Sequence, residues 1–378
     1  MTMRLGLQKK LFITAVALGF AMAVPVTGIA GDTIKFGVAG AQSGDLASYG
    51  LPTVKAAELV VAMYNAKGGI NGKKVELLIE DDVCKPEVAT NTATKLVADG
   101  VDVVLGHICS GATKAALPIY KEAGIVVMSP SATDTDLTFS GDYPNFFRTI
   151  AHNDAQAIAM VDFATNTVGS KKIAVIHDKG DYGKGLAEIA KRLIEKSGKA
   201  EVVLFEGVTP GAVDYTAIVQ KIKRKGADTV LFGGYHPEAS KIVTMMNKKR
   251  LKVTFISDDG VKDDTFIKVA GKNAEGVYAT GPKDTSSNPL SGISIEAHKK
   301  AYNADPGAFY EAAYSAAIAL LNAIEKAGST DMPAVVKALR TEKVDTPVGR
   351  IHFDEKGDAV GVGFVMYQVK DGKYMQVK

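Results

Sequence analysis

From Thr33 to about Thr280, short β-branched runs alternate with stretches of helical periodicity, the pattern of parallel α/β domains. Strands are predicted at Ile34-Lys35-Phe36-Gly37-Val38, Val75 to Glu80, Val101 to Leu105 and Ile125 to Met128. Between them lie an amphipathic helix over Leu51 to Asn65 and helices starting near Pro86 and Thr113. The series restarts near Phe147 to Ala151. Its strands are Ile173 to His177, Val202 to Phe205, Thr229 to Phe232, Thr254 to Ile256 and Val277 to Ala279. A long alanine-rich helix follows over Tyr310 to Ala327, and Gly361 to Val369 with Tyr374 to Val377 form a hairpin around Asp371-Gly372.

Two consecutive series predict two doubly wound lobes of similar plan, and the closing hairpin fits either one. No stretch is rich enough in Pro, Gly or Ser to let the lobes drift, so they are expected to meet across a cleft. Open α/β sheets bind ligands beyond the carboxyl ends of their strands. That rule selects five short polar loops, which begin at Gly106, Ser129, Asp178, Gly233 and Ser257.

The amino terminus reads differently. Arg4, Lys9 and Lys10 precede an apolar run from Leu11 to Val24, and Gly28-Ile29-Ala30 supplies small residues, the form of an export signal. Cleavage is expected after Ala30, with Ala23 second. The run is about fourteen residues, short of the roughly 20 that span a bilayer. The whole chain is +3, and residues 1–30 carry three basic and no acidic residues, so the exported part is neutral. A neutral domain has no general attraction for nucleic acid or anionic membrane. At 378 residues the chain exceeds what one core usually serves. Cys84 and Cys109 are the only cysteines, and in an oxidising compartment an even pair reads as a disulfide rather than a reactive thiol.

Catalytic templates fail. Gly37, Gly40 and Gly44 lack the dinucleotide-binding spacing, no phosphate-binding loop of Walker type occurs, and Ser110 is outside G-x-S-x-G. The six histidines show no metal-ligand spacing, so neither metal nor cofactor is expected. The pairs Asp81-Asp82, Asp258-Asp259 and Asp263-Asp264 read first as solvated loop ends. A zwitterion site is the constructive reading. Ser110 and Thr133 offer hydroxyls at helix entries, which favour anions, although capping alone would also explain them. Asp259 would receive an ammonium, and Tyr49, Tyr182, Tyr235 and Tyr310 would wall the pocket.

These same segments carry a resemblance to type I periplasmic binding proteins, most closely the leucine/isoleucine/valine branch. It rests on Gly40-Ala41-Gln42-Ser43-Gly44, Asn65-Ala66-Lys67-Gly68-Gly69-Ile70-Asn71-Gly72 and Asp81-Asp82-Val83-Cys84. Gly106-His107-Ile108-Cys109-Ser110, Ser129-Pro130-Ser131-Ala132-Thr133, His177-Asp178-Lys179, Gly233-Gly234-Tyr235 and Asp354-Glu355-Lys356-Gly357-Asp358 continue it. The resemblance implies a three-crossover hinge, with residues 31–149 and 283–353 in lobe one and 150–282 and 354–378 in lobe two. It implies a Cys84–Cys109 disulfide beside the site. Ser110, Ser131 and Thr133 would hold the ligand's carboxylate and amino groups, Tyr182 and Tyr235 would close from lobe two, and Tyr49 and Tyr310 would flank the side chain. The family usually places Glu where this chain has Asp259, one methylene shorter, and often Trp where it has Tyr49. The implied protein is a monomeric, non-enzymatic periplasmic receptor that delivers an amino acid to the membrane permease of an ATP-driven importer. A sensor subunit for another amino acid or small carboxylate is the alternative, and a secreted amidohydrolase a further one.

Overall fold

The computed structural model describes residues 33–377, so the expected export signal over 1–30 lies outside the described residues. In chain order the first half runs β1 (Ile34–Gly40), α1 (Ala47–Ala66), β2 (Val75–Asp81), α2 (Pro86–Ala98), β3 (Val103–Leu105) and α3 (Ser110–Glu122). It continues through β4 (Val126–Ser129), the single turn α4 (Asp136–Phe139) and β5 (Phe146–Arg148). The second series is α5 (Asn153–Asp162), β6 (Lys172–His177), α6 (Asp181–Ser197), β7 (Glu201–Gly207), α7 (Thr216–Lys225), β8 (Thr229–Gly233) and α8 (His236–Lys248). β9 (Thr254–Ser257), α9 (Asp264–Ala270) and β10 (Tyr278–Pro282) complete it. Then come α10 (Pro289–Tyr302), α11 (Tyr310–Ala327), α12 (Met332–Thr341), the small hairpin β11 (Val344–Thr346) and β12 (Gly349–Ile351), and the final hairpin β13 (Phe364–Lys370) and β14 (Lys373–Gln376).

The strands form two large sheets, ordered β2-β1-β3-β4-β5 and β7-β6-β8-β9-β10-β13-β14. The first is wholly parallel. The second is parallel up to β10, after which β13 and β14 pair antiparallel, so the closing hairpin extends the second sheet. Each sheet reverses its strand order once, at β1/β3 and at β6/β8, and these reversals are where open α/β sheets leave a crevice. The chain passes between the sheets three times, after β5, after β10 and between β12 and β13.

The β-branched runs occupy central strands because both faces are covered. Val103, Val104 and Leu105 of β3 and Val126, Val127 and Met128 of β4 are fully buried. One core of the first lobe joins β1, β3 and β4 to α1, α11 and α12. The helix α11 supplies it with Ala313, Ala316, Ala317 and Leu320, and the three alanines let the helix lie close to the sheet.

Two glycines set close approaches that later position the site. A Cβ on Gly50 of α1 would fall 1.8 Å from the carbonyl oxygen of Ala41, so only glycine lets α1 start against the β1 loop. A Cβ on Gly183 would fall 2.4 Å from the oxygen of Gly233, which binds the first turn of α6 to the end of β8. Cys84 and Cys109 form a disulfide with their Cα atoms 5.5 Å apart. It joins the β2–α2 loop to the residue before α3 and closes a 25-residue separation, worth roughly 3 to 4 kcal/mol in the chain-entropy picture.

Candidate functional site

The loops at the two sheet reversals converge on one small cavity. Its wall includes Tyr49, Ser131, Tyr182, Tyr235, Asp259 and Phe309, and the space between them, open mouth included, is about 250 Å³. That lies below the roughly 300 Å³ at which drug-sized sites begin, a size for a small metabolite. Five of the eight ligand-binding candidates therefore line it directly. Ser110 and Thr133 stand behind the wall, both buried, in loops whose neighbours Cys109 and Ser131 do line it.

Neither hydroxyl caps a helix. Ser110 is the first residue of α3 and its Oγ accepts from the N–H of Asp134 at 3.1 Å, leaving its proton uncommitted among the described residues. Thr133 Oγ1 is buried with no hydrogen-bond partner among them. The first amides of α3 lie beside these hydroxyls, and a helix start favours negative charge. Ser131 Oγ donates to the carbonyl of Ile108 at 2.7 Å and ties the β4 loop to the β3 loop.

The opposite wall is acidic. Asp258 and Asp259 are buried, not solvated as expected, because the loop after β9 is covered where the lobes meet. Asp82 is likewise buried, holding Nδ1 of His107 at 2.6 Å, and so is Asp263, which caps α9 through the N–H of Thr265, whereas Asp264 is exposed. Tyr182 Oη donates to Asp259 Oδ1 at 2.5 Å, and Gln156 Nε2 donates to the same oxygen at 2.7 Å. Asp259 Oδ2 is buried without a partner among the described residues. Burial raises the Asp259 carboxyl above the ordinary range, with the Tyr182 and Gln156 hydrogen bonds pulling the other way. Asp258 is raised further, by burial and then by the neighbouring Asp259 charge, while its Oδ2 accepts from the N–H of Gly234 at 2.7 Å.

The tyrosines form a connected wall. The Tyr182 and Tyr235 rings lie 5.2 Å apart and those of Tyr235 and Tyr49 6.0 Å apart. Phe309 follows, 5.7 Å from Tyr49. Tyr310 does not join them: it starts α11, is buried, and its hydroxyl donates to the carbonyl of Ser294 at 2.9 Å. Phe309 takes that side of the cavity because its φ of 60° turns the chain just before the helix. No pattern in the sequence marks it. Gln156 was equally silent, a polar residue on the buried face of α5.

The pairing of Ser110 with His107, the nearest approach to a nucleophile and base, does not form. Both ring nitrogens of His107 are engaged, by Asp82 and, at 3.1 Å, by the hydroxyl of Tyr120.

The sequence profile of the family described as periplasmic binding protein matches residues 33–373. The chain belongs to that family. Over 380 aligned residues, all of both chains, it is 38% identical to the leucine-, isoleucine-, valine-, threonine- and alanine-binding protein of Pseudomonas aeruginosa. It is 36% identical to the Leu/Ile/Val-binding protein of Escherichia coli, across 89% of this chain and 90% of that one. Among solved structures it resembles the branched-chain amino acid transporter substrate-binding protein LivJ of Streptococcus pneumoniae in complex with isoleucine. The TM-score is 0.82 at 28% identity, covering 92% of this chain and 100% of that one.

In this periplasmic binding protein the wall loop from Ser129 to Asp134 is braced from behind by a fully buried arginine. Arg148 Nη1 donates to the carbonyl of Asp134 at 2.7 Å and to that of Ala132 at 3.2 Å. Its Nε donates to Asp358 and its Nη2 to the hydroxyl of Thr138. Asp358 sits in a turn where Asp354 Oδ1 accepts from the N–H groups of Lys356, Gly357 and Asp358, each at 2.9 Å.

A second acid bears on stability rather than on the cavity wall. Burial pushes Asp178 up to about 7, against the Gly180 N–H that donates to its Oδ1 at 2.9 Å. The folded chain thus keeps a proton there that the unfolded chain releases near pH 4. This contribution is fully present below about pH 4 and is lost as pH rises through about 7. Asp178→Asn keeps the acceptor and needs no proton. It should raise the melting temperature by several degrees more at pH 8 than at pH 5, and equal shifts at the two values would assign Asp178 no such linkage.

Proposed function

We propose that the protein is the periplasmic receptor of an ATP-driven importer and that it binds a small α-amino acid with an aliphatic side chain between its lobes. It releases that ligand to the membrane permease, as a monomer and without chemistry on the ligand. One observation carries the ligand class: Asp259 lines the cavity with a buried Oδ2 that has no partner among the described residues, opposite the start of α3 with two hydroxyls that have protons to give. A negative pole faces a pole that receives negative charge, which is the pattern of an ammonium and a carboxylate on one small molecule. The rings of Tyr49, Tyr182, Tyr235 and Phe309 offer apolar faces to the side chain between them. The names of the relatives agree with this reading. Export through segment 1–30 is part of the proposal, and the Cys84–Cys109 disulfide suits an oxidising compartment.

A thermal-shift screen of ligand-stripped protein tests it, using the twenty amino acids with simple 2-keto and aromatic acids. A ligand at about 100 times its Kd stabilises by about 2.7 kcal/mol, a shift of roughly 5–10 °C for lobes of this size. Shifts confined to leucine, isoleucine, valine and their small neighbours are expected. Shifts with acids that lack an amine would overturn the ammonium role of Asp259.

A further inference from the structure

We infer that His236 is a positioning residue that, through the hydroxyl of Tyr49, holds the two lobes closed over the cavity; this rests on the receptor reading above. Tyr49 comes from α1 on the first lobe and is buried. Its Oη lies 2.6 Å from the carbonyl oxygen of Gly260 and 2.6 Å from His236 Nδ1, both on the second lobe. A phenol has one proton and a carbonyl has none to give. For both contacts to be hydrogen bonds, Tyr49 must donate to Gly260, and His236 Nδ1 must carry a proton and donate to the Tyr49 oxygen. The result is a directed chain from imidazole to hydroxyl to carbonyl that crosses between the lobes. The rings of Tyr49 and His236 meet edge to face at 5.3 Å, so the imidazole is held by packing as well.

The position of this contact gives it a role. Gly260 directly follows Asp259, so the carbonyl that Tyr49 grips belongs to the loop that presents the acid to the cavity. Tyr182 Oη, which donates to Asp259, also accepts from the N–H of Gly260 at 3.2 Å. Closing the lobes and aligning the acid are one event. A second bridge between the lobes, Lys114 of α3 to Asp181 of α6 at 3.4 Å, is 44% and 43% exposed, so salt screens it and its worth is small. The buried contact is shielded from that screening. Its loss lowers the fraction of closed protein, and apparent affinity falls with that fraction.

The test uses the whole protein with Tyr49→Phe, His236→Ala, His236→Asn and the double variant Tyr49→Phe with His236→Ala. L-leucine affinity is read by calorimetry at 0.05 and 0.5 M NaCl. The separation of spin labels on the two lobes is read without ligand. Tyr49→Phe and His236→Ala should each weaken leucine about tenfold at both salt concentrations, and the double variant should also be about tenfold weaker, because the groups act as one unit. Asparagine places an amide donor where Nδ1 stands, so His236→Asn should return to within about threefold of the parent. Additive losses, an unaffected Tyr49→Phe, or a His236→Asn no better than His236→Ala would overturn the inference. If the parent binds no amino acid, the receptor reading fails on its own, and the labels still decide. A smaller closed population in Tyr49→Phe than in the parent supports the latch, and equal populations refute it.

Discussion

Asp259→Asn should weaken L-leucine binding by about 30-fold to several thousand-fold, the range for removing one partner of a buried, hydrogen-bonded charge pair. The substitution conserves shape and keeps an oxygen for the Tyr182 and Gln156 donors. What it removes is the charge that an ammonium needs at the unpartnered Oδ2. The leucine analogue with a keto group in place of the amine supplies the control, since its affinity, however weak, should not fall. Acidification adds a second signature. Burial raises the Asp259 carboxyl, so as pH falls a proton competes with the ammonium and leucine affinity declines in the parent. The asparagine variant should lack that component of the pH dependence. Equal leucine affinities in parent and variant, measured by calorimetry, would move the ammonium to another acceptor.

Arg148→Met should produce the largest loss of stability, about 3 to 5 kcal/mol, the cost of leaving a buried pair with one charge. Asp358 would lose its cation, and the carbonyls of Ala132 and Asp134 their donors. For a lobe of this size, melting as its own unit, the melting temperature should drop by roughly 6 to 20 °C. Adding Asp358→Leu should restore part of the loss, because the stranded carboxylate is gone. Only part should return, since the two carbonyls still lack donors. The loop they belong to carries Ser131 and Thr133, so leucine affinity should fall in the single variant even where it is fully folded. A melting temperature within a degree or two of the parent would show that solvent reaches this site and replaces the guanidinium.

The two-lobed plan and most of its strands were legible because both sheets are built from runs whose apolar residues face cover on two sides. The alanine-rich helix falls at Tyr310–Ala327 as its periodicity predicts. The helix α1 begins at Ala47, a turn before the expected Leu51, and carries Pro52 within its first turns. The loops after β3 and β4 were also visible, through hydroxyls and glycines at strand ends. Illegible features were those made by distant residues meeting. Arg148 and Asp358 are 210 positions apart, and neither has a local pattern that announces the other. The acids at 258 and 259 looked solvated because a loop's burial depends on what packs over it. Phe309 rather than Tyr310 faces the cavity through one backbone angle, which periodicity does not encode. His236 and Gln156 acquired meaning only when a partner from elsewhere arrived.

The three passages between sheets also govern when the protein can acquire its structure. The core beneath the first sheet joins Ile34, Val38 and Phe147 to Ala313, Leu320 and Phe353. The whole second series lies between those two groups in the chain. Because the chain is synthesised amino end first, the opening α/β series must wait, with an apolar face uncovered, until α11 has emerged. Long-range closure of this kind slows folding and prolongs the interval in which apolar surface is open to other chains. The vulnerable period of this protein's life is therefore its assembly, and a truncation before Tyr310 should yield an aggregating fragment rather than an isolated lobe.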